Sequence, residues 1–545
     1  MHWQLERRRF LLWLLLVWLG YATIQSLYIT RMPMVMDEFE GAHSVHQFAS
    51  GLPYRDFDPY KTVLGYYFQL PALEMPHDLW RGMLAVKFEM AVAVIVTFFG
   101  VAGLLYGRFA GGPLLLSTAM LVAMSNFAER SSDLRVDMLT ALAGFIAFVA
   151  LIGRRTLSAG AMVAVSILIS QKGVLYLAAS GAVLVVDLIV TEDRRAALRR
   201  GFTFAGSFAL VFLSYLALWS LIATPRIVMR AVFGTAARVA LSEVYSIRGQ
   251  FWAQTLMRNP LYWLLAAMAI PILLRRWRDP ALRGIAVYGA VILILGAWYR
   301  QPWPYFFVIL CPTIFLLHAA LLQQLERQAL RRIAVSLCLI LGVVYPLARL
   351  RTTLMRDSAE QRWTVEFARA ILAPSDRYLA GIDMVWDREQ EPRELRWLDG
   401  TVAQQLRAKS PAELMAMAAK IRRAPIKLVI GSYRTASLPL PFARLLDADF
   451  EQLWGNIEVY SPRLRSGPFA LKFSGSYRVE APSAQPPVID GHAVTPGSML
   501  LLASGMHALS AQAPIRLQLI PPGWLAFADS RFARRSNLYQ DVYTY

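Results

Sequence analysis

Charged residues and cysteines are scarce in this sequence. Only 17% of its 545 residues are charged and 56% are hydrophobic, whereas a soluble protein averages about 25% charged and about 45–50% apolar residues. The two cysteines, Cys311 and Cys338, each lie inside an apolar run. This pattern does not indicate a disulfide framework, and it predicts two buried, small hydrophobic side chains. The shortage of charge points to an integral membrane protein.

The hydrophobic residues are concentrated between Phe10 and Ala348, and the sequence from Arg349 onward has the composition of a soluble protein. Because a bilayer core of about 30 Å needs about 20 apolar residues per helix, the first part predicts about eleven membrane-spanning helices. The predicted spans are residues 10–29, 84–106, 109–126, 138–153, 157–170, 173–191, 202–223, 260–275, 284–298, 304–322 and 331–348. The first span lacks a cleavage site of small residues, so we interpret it as an uncleaved helix.

The net charge of +19 comes largely from arginines in short loops between the apolar runs. We therefore interpret it as a topology signal facing anionic lipids and exclude nucleic acid as a partner. With the N-terminus in the cytoplasm, every loop predicted to be cytoplasmic is basic. These loops carry Arg108, Arg154, Arg155, Arg194, Arg195, Arg199, Arg200, Arg275, Arg276, Arg278, Arg283, Arg327, Arg331 and Arg332. The same alternation predicts that everything after the last span is non-cytoplasmic.

The C-terminal third predicts two soluble domains behind a membrane domain at 1–350. Residues 351–465 mix helix and strand patterns: Ser410 and Glu413 form a capping box, and 428–430 indicate a buried strand. Residues 466–545 consist of short alternating runs punctuated by Pro and Gly, which favours a small β-sandwich. The predicted fold is an α-helical polytopic membrane domain with C-terminal α/β and β-rich domains.

The first long external loop contains the densest group of polar residues. Asp37, Glu38 and Glu40 begin a predicted amphipathic helix that would lie along the membrane surface. Its apolar face consists of Ala42, Val45, Phe48 and Ala49. Acidic residues in the first turn of a helix complement its dipole and need no other role. Composition alone therefore does not decide between this structural role and a functional one. We expect His43 and His46 of this helix to be solvated.

This loop resembles the first periplasmic loop of the GT-C glycosyltransferases, and most closely that of the dolichyl-phosphate-mannose protein mannosyltransferases and bacterial aminoarabinose transferases. Asp37–Glu38, the run GLPYRDF at 51–57, and Lys61 match that family's pattern in order. Three further segments match its motifs at corresponding positions. They are 135–139 (RVDML), 171–173 (QKG) and 300–306 (RQPWPYF).

The resemblance covers about residues 1–350 and implies an inverting glycosyltransferase of a bacterial inner membrane, with its C-terminal domains in the periplasm. The enzyme would move a sugar from a polyprenyl-phosphate donor to a lipid, glycan or protein acceptor. Asp37, with Glu38, is then the candidate catalytic base. The candidate ligands of the donor phosphate are Lys61, Lys172 and Arg300. The candidate substrate-orienting residues are Arg55, Asp56, Asp137 and Tyr305.

The resemblance leaves the cofactor open. Some relatives carry Glu or His directly before the lysine, where it can bind a metal, but this chain has Tyr60. A metal site of that kind is therefore not predicted, although a divalent metal elsewhere stays open. Two other functions also remain: a transporter of lipid-linked glycans, or a non-catalytic glycan-binding or assembly protein. Few charges lie deep in the predicted spans and no repeat is visible, which disfavours the transporter.

Overall fold

The computed structural model describes residues 5–59, 61–235, 248–398, 400–483 and 485–539. The chain divides into two compact units. The first comprises residues 1–32, 44–77 and 81–356, and the second comprises residues 33–43, 78–80 and 357–545. The second unit thus takes up two short segments from the N-terminal part of the chain.

The first unit is built almost entirely from helices. These are α1 (Arg7–Arg31), α2 (Met36–Ser50, shared with the second unit), α3 (Leu64–Glu74), α4 (Leu79–Leu105), α5 (Gly111–Ala123), α6 (Ser125–Arg130), α7 (Asp137–Ile152), α8 (Thr156–Ile169), α9 (Val174–Val190), α10 (Arg194–Ile222), α11 (Pro225–Met229), α12 (Arg248–Arg258), α13 (Pro260–Leu274), α14 (Pro280–Trp298), α15 (Cys311–Gln323), α16 (Gln328–Leu339) and α17 (Tyr345–Leu354). Short 3₁₀ turns at Gln171–Gly173 and Pro304–Ile309 and π-helical turns at Arg230–Thr235 and Ile340–Val344 complete it.

All of the predicted spans coincide with helices. Among the described residues, six helices are long and apolar enough to cross a membrane. They are Arg7–Arg31, Leu79–Leu105, Gln171–Val190, Arg194–Ile222, Pro280–Trp298 and Gln328–Arg351. The other predicted spans correspond to four shorter apolar helices and to the bent pair Gly249–Arg258 and Pro260–Leu274. The protein is therefore a multi-pass membrane protein, and both cysteines are buried and unbridged as predicted.

A buried polar network holds the 99° bend between α12 and α13. The Asn259 side chain accepts a hydrogen bond from the Ser125 amide (2.9 Å) and donates one to the Ser125 hydroxyl (2.8 Å). Thr255 donates to the Asn126 side chain at 2.5 Å. The Asn259 side chain also donates to the Thr255 carbonyl at 3.1 Å, so the network ties the last turn of α12 to α6 at the bend.

The segment between α5 and α7 is buried although it carries many charged and polar residues. Glu129 is fully buried, and its carboxylate accepts hydrogen bonds from both terminal nitrogens of Arg258, one of them at 2.9 Å to Oε2. Gln25 of α1 donates to the Ala128 carbonyl at 2.6 Å. These contacts fix the connection that leads into Asp137, the first residue of α7.

The second unit contains an α/β part and a β-rich part. The α/β sheet has the order β1-β2-β4-β3, formed by β1 (Arg377–Leu379), β2 (Ile426–Ile430), β3 (Phe450–Trp454) and β4 (Ile457–Tyr460). Its helices are α18 (Ala359–Ile371), α19 (Gly400–Arg407), α20 (Pro411–Arg423), α21 (Tyr433–Ala436) and α22 (Leu440–Asp449). The predicted capping box of Ser410 and Glu413 begins α20, and the predicted strand is β2.

The β-rich part consists of two four-stranded sheets with the orders β10-β7-β12-β5 and β6-β11-β8-β9. The strands are β5 (Arg463–Leu464), β6 (Gly467–Leu471), β7 (Gly475–Glu480), β8 (Val488–Ile489), β9 (His492–Ala493), β10 (Met499–Leu502), β11 (Gly505–Ser510) and β12 (Ile515–Ile520). The alternating runs noted in the sequence all form strands. The predicted fold class is thereby confirmed.

One hydrophobic core runs through both parts of the second unit, from Leu379 to Leu519. The chain after β12 also returns to the α/β part. The Trp363 indole donates to the Phe527 carbonyl at 2.8 Å, and the Asn456 amide donates to the Ser536 carbonyl at 2.7 Å. Removal of the β-rich part would therefore also strip contacts from the α/β part.

Candidate functional site

A charged cluster in the first unit joins three separate connections. Asp137 is 3% exposed, and its carboxylate accepts hydrogen bonds from the Lys172 ammonium (2.5 Å) and from Arg135 Nε (3.0 Å). The ring of Tyr305 lies against both cations, 3.4 Å from the Arg135 guanidinium carbon and 4.9 Å from Lys172 Nζ. One carboxylate shared by two cations leaves the cluster with a net positive charge.

Each member of this cluster is positioned by the turn that carries it. Arg135 and Asp137 lie two residues apart where the buried connection enters α7. Lys172 lies in the 3₁₀ turn between α8 and α9, whose first residue follows the capping Ser170. Tyr305 follows Pro304 at the start of the 3₁₀ turn before α15, where proline suits the first helical position. The polar groups thus sit at helix ends, where they avoid the apolar interior.

Lys61 lies near this cluster, and its positive charge acts on Lys172. Its ammonium lies 5.1 Å from the centre of the Tyr66 ring, and its carbonyl accepts a hydrogen bond of 2.8 Å from the Tyr54 hydroxyl. The following residue, Thr62, is fully buried and donates to the Ile167 carbonyl at 2.9 Å. The backbone at Lys61 and at the residue after it is therefore anchored, and Tyr60 lies outside the described residues.

Arg55 and Asp56 form an exposed ion pair within a tight turn. Arg55 donates two hydrogen bonds to Asp56, and the Asp56 carboxylate also accepts from the Leu52 amide at 2.8 Å. These bonds, chiefly those from Arg55, lower the pKa of Asp56 to about 2. Asp58 pairs with Arg230 at 2.8 Å. The structure does not bring Arg55 and Asp56 into the Asp137 cluster's hydrogen bonds. Arg300 is exposed in the connection before Tyr305.

Asp37 and Glu38 belong to the second unit and begin α2, which forms as predicted. Glu38 is fully buried, and its carboxylate accepts a hydrogen bond of 2.8 Å from the Val35 amide, so that it caps its own helix. Asp37 is half-buried. The Gln361 side chain holds Met34 from both sides, accepting from its amide (2.7 Å) and donating to its carbonyl (3.1 Å). The start of α2 is thereby fixed to α18.

A buried arginine that no sequence pattern singled out, Arg434, lies beside the start of α2. This arginine is 5% exposed, its Nε lies 3.0 Å from the Met36 sulfur, and its guanidinium lies 4.6 Å from the Trp397 ring centre. Within the described part of the chain it forms no ion pair, and its Nη1 has no hydrogen-bond partner. The sequence around Arg434 reads as an ordinary exposed turn, so only the fold reveals it.

Within the described residues, no group of three or more His, Cys, Asp or Glu side chains is arranged to hold a metal ion. The clustered groups around Asp137 are cations. Their donor nitrogens suit phosphate oxygens, whereas Mg²⁺, Mn²⁺ and Zn²⁺ require lone-pair donors. These residues therefore do not fit a metal, and they fit an anion.

The fold is similar to that of several solved membrane enzymes. ArnT from Cupriavidus metallidurans bound to undecaprenyl phosphate aligns with a TM-score of 0.57 at 15% identity, over 82% of this chain and 97% of that one. Oligosaccharyltransferase AglB from Archaeoglobus fulgidus, in complex with an inhibitory peptide and a dolichol-phosphate, aligns with a TM-score of 0.53 at 11% identity, over 95% and 77%. The same archaeal enzyme with Zn and sulfate gives 0.50 at 11% identity, over 86% and 72%.

No protein-family model matches the sequence. No curated protein matches it either. At identities of 11–15% the structural likeness concerns the fold. The GT-C-like fold that the loop motifs implied is confirmed by it.

Proposed function

We propose that this protein is an inverting glycosyltransferase that takes its sugar from a polyprenyl-phosphate donor. The observation that carries the proposal is a net cationic cluster, Arg135, Asp137 and Lys172, within a fold shared with an undecaprenyl-phosphate-bound protein. Neither half of this observation suffices alone. Together they supply a membrane scaffold and a group of donors suited to a lipid phosphate.

Lys61, Lys172 and Arg300 are proposed to bind the donor phosphate, and Arg135 joins them. In the reaction a phosphodiester becomes a phosphomonoester, so negative charge increases on the leaving group. Fixed cations beside it stabilise the transition state more than the ground state. The link from Asp137 to Lys172 and Arg135 supports a positioning role, and Tyr305 contributes a flat surface against both cations.

Asp37 is proposed to be the base that removes the proton from the acceptor hydroxyl. A carboxylate within hydrogen-bond reach of a nucleophile contributes about 10²–10⁴-fold to the rate. Glu38 caps α2. This supports a structural role for Glu38 and leaves Asp37 as the proposed base. Arg55 and Asp56 are proposed to keep the loop after α2 in shape for the substrate.

The acceptor is proposed to be a lipid, glycan or protein outside the cytoplasm, at a bacterial inner membrane. The basic loops predicted to face the cytoplasm support an N-terminus in the cytoplasm and C-terminal domains in the periplasm. A C-terminal reporter that is active only in the cytoplasm should stay silent, and a strong signal from it would contradict this topology.

Turnover of a defined donor tests the proposal. Purified protein is incubated with a panel of polyprenyl-phosphate sugars, with water as the acceptor, and release of polyprenyl phosphate and of free sugar is followed for each. One donor should lose its sugar with inversion at the anomeric carbon, and the rate with and without EDTA shows whether a divalent metal takes part. If no donor is consumed but an intact one crosses the bilayer, the protein is a transporter. If a donor only binds, the assembly function is favoured.

A further inference from the structure

A cationic cavity lies in the first unit, apart from the Asp137 cluster. Its volume is about 260 Å³. It lies where α7 ends and α8 begins, beside the last turns of α9 and the first turn of α14. Its lining residues are Arg108, Leu151, Ile152, Arg154, Thr156, Val183, Leu184, Asp187, Arg200, Asp279, Pro280, Ala281 and Gly284.

The acidic residues of this cavity are already engaged. Asp187 accepts from Arg200 at 2.9 Å and from Arg283 at 2.6 Å, so one carboxylate serves two arginines. The Asp279 carboxylate caps α14 by accepting from the Ala281 and Leu282 amides. In the described residues Arg108 and Arg154 have no carboxylate within 4.0 Å. The cavity therefore carries an excess of positive charge.

The start of α8 adds further donors on the wall of the same cavity. Its capping position is occupied by Arg155, which provides no side-chain acceptor for the first amide groups. Thr156, which lines the cavity and is 7% exposed, is the first residue of this 14-residue helix. Unpaired amides at a helix start attract anions. Arginines and such amides together form the usual donor set for a phosphate group.

We infer that this cavity binds a phosphate group. The phosphate of an anionic lipid headgroup and free inorganic phosphate present the same oxygens to Arg108, Arg154 and the start of α8. Basic pockets between the ends of membrane helices are suited to anionic headgroups. The inference does not rest on the proposed glycosyl transfer, and the site takes no part in it.

Lipid retention by the purified, full-length protein tests this inference. Detergent-solubilised protein is mixed with equal amounts of phosphatidylglycerol and phosphatidylcholine, and the bound lipid is measured by native mass spectrometry. The double variant Arg108→Ala/Arg154→Ala is compared with Arg195→Ala/Arg199→Ala, which removes the same charge from exposed positions of α10 that do not line the cavity. Arg154→Gln alone serves as a milder change at an exposed residue.

The wild type should retain phosphatidylglycerol in preference to phosphatidylcholine. The cavity variant should lose at least about tenfold in occupancy, the effect of one lost hydrogen bond to a charged group, while the α10 variant stays close to wild type. Displacement of the lipid by millimolar inorganic phosphate, or binding of phosphate alone, supports the site with free phosphate as its source. Equal losses in both double variants, or no preference between the lipids together with no phosphate binding, would overturn the inference.

Discussion

Asp137→Asn should destabilise the first unit far more than a comparable change at an exposed ion pair. Asp137 is 3% exposed and accepts from Lys172 and Arg135, whose side chains are 21% and 17% exposed. The substitution keeps the shape of the side chain and one acceptor oxygen but removes the negative charge. Two cations are then left close together without a counter-ion.

The magnitude follows from the burial of these groups. Removing one partner of a buried ion pair costs about 3–5 kcal/mol. Because both cations retain some contact with solvent, we expect the lower end, about 3 kcal/mol. Asp58→Asn is the matched control: Asp58 also pairs with an arginine, Arg230, but the two side chains are 43% and 58% exposed. Its cost should stay within about 1 kcal/mol.

Thermal melting followed with a thiol-reactive dye measures the effect, since Cys311 and Cys338 are buried at 0% and 2% exposure and react only on unfolding. A second substitution, Lys172→Met, should restore part of the loss in the Asp137→Asn protein, because it removes one of the unbalanced cations. If Asp137→Asn melts like Asp58→Asn, or if Lys172→Met lowers its stability further, the Asp137 carboxylate is not what stabilises the two cations in this cluster.

Three further outcomes are expected. Lys61→Ala should weaken donor binding as well as turnover, and Lys61→Arg should restore it only in part, because the guanidinium is larger and planar; a Lys61→Ala protein with unchanged donor Kd would remove Lys61 from the phosphate site. Glu38→Gln should lower the free energy of unfolding by about 1 kcal/mol through loss of the charged helix cap, seen as a lower melting temperature, and undiminished stability would contradict the capping role. The hydrogen bond to the Asp490 carboxylate raises the pKa of His507. Protonated His507 therefore stabilises the β-rich part below about pH 6.5, and this stabilisation is lost as pH rises through the raised pKa. A pH series of melting curves should show a contribution of about 0.2–1 kcal/mol, and His507→Gln should lack it.

Local patterns predicted the elements of this fold well. The Ser410–Glu413 capping box, the strand 428–430 and the helix that begins at Met36 each depend on neighbours in the sequence, and all three form. On the helix face predicted to be apolar, Ala42 is fully buried. Ala49, at the end of the same face, is exposed. The hydrophobic periodicity therefore predicted the helix and most of its buried face, but it did not predict at which residue the burial ends.

Local sequence patterns did not predict contacts between residues that are far apart in the sequence. The link from Asp137 to Lys172 spans 35 residues. His43 was expected to be solvated, which is wrong: it is 2% exposed and bonds to the Trp386 carbonyl 343 residues later. Residues 33–43 follow the first membrane helix in sequence, yet they fold with the C-terminal unit. Tertiary packing decides each of these cases, and hydropathy does not register it.

Pairs of buried charges are a second feature that the sequence pattern did not predict. Lys87, 1% exposed, lies 3.9 Å from the equally buried Asp133. In sequence, Lys87 lies near the start of the predicted span 84–106, and Asp133 lies in an external connection between two predicted spans. Such groups remain charged inside a fold only when a partner compensates the loss of solvation. The partner is identified only once the fold is known.

The turnover of Asp37→Asn, measured beside its donor Kd, tests the central claim most directly. The substitution keeps the hydrogen-bonding shape of the side chain but removes its proton affinity. Turnover of the polyprenyl-phosphate sugar should fall by about 10²–10⁴-fold, while donor Kd and melting temperature stay near those of the wild type. Near-normal turnover in Asp37→Asn, with loss of turnover in Asp137→Asn or Glu38→Gln proteins that remain folded, would contradict the assignment of Asp37 as the base.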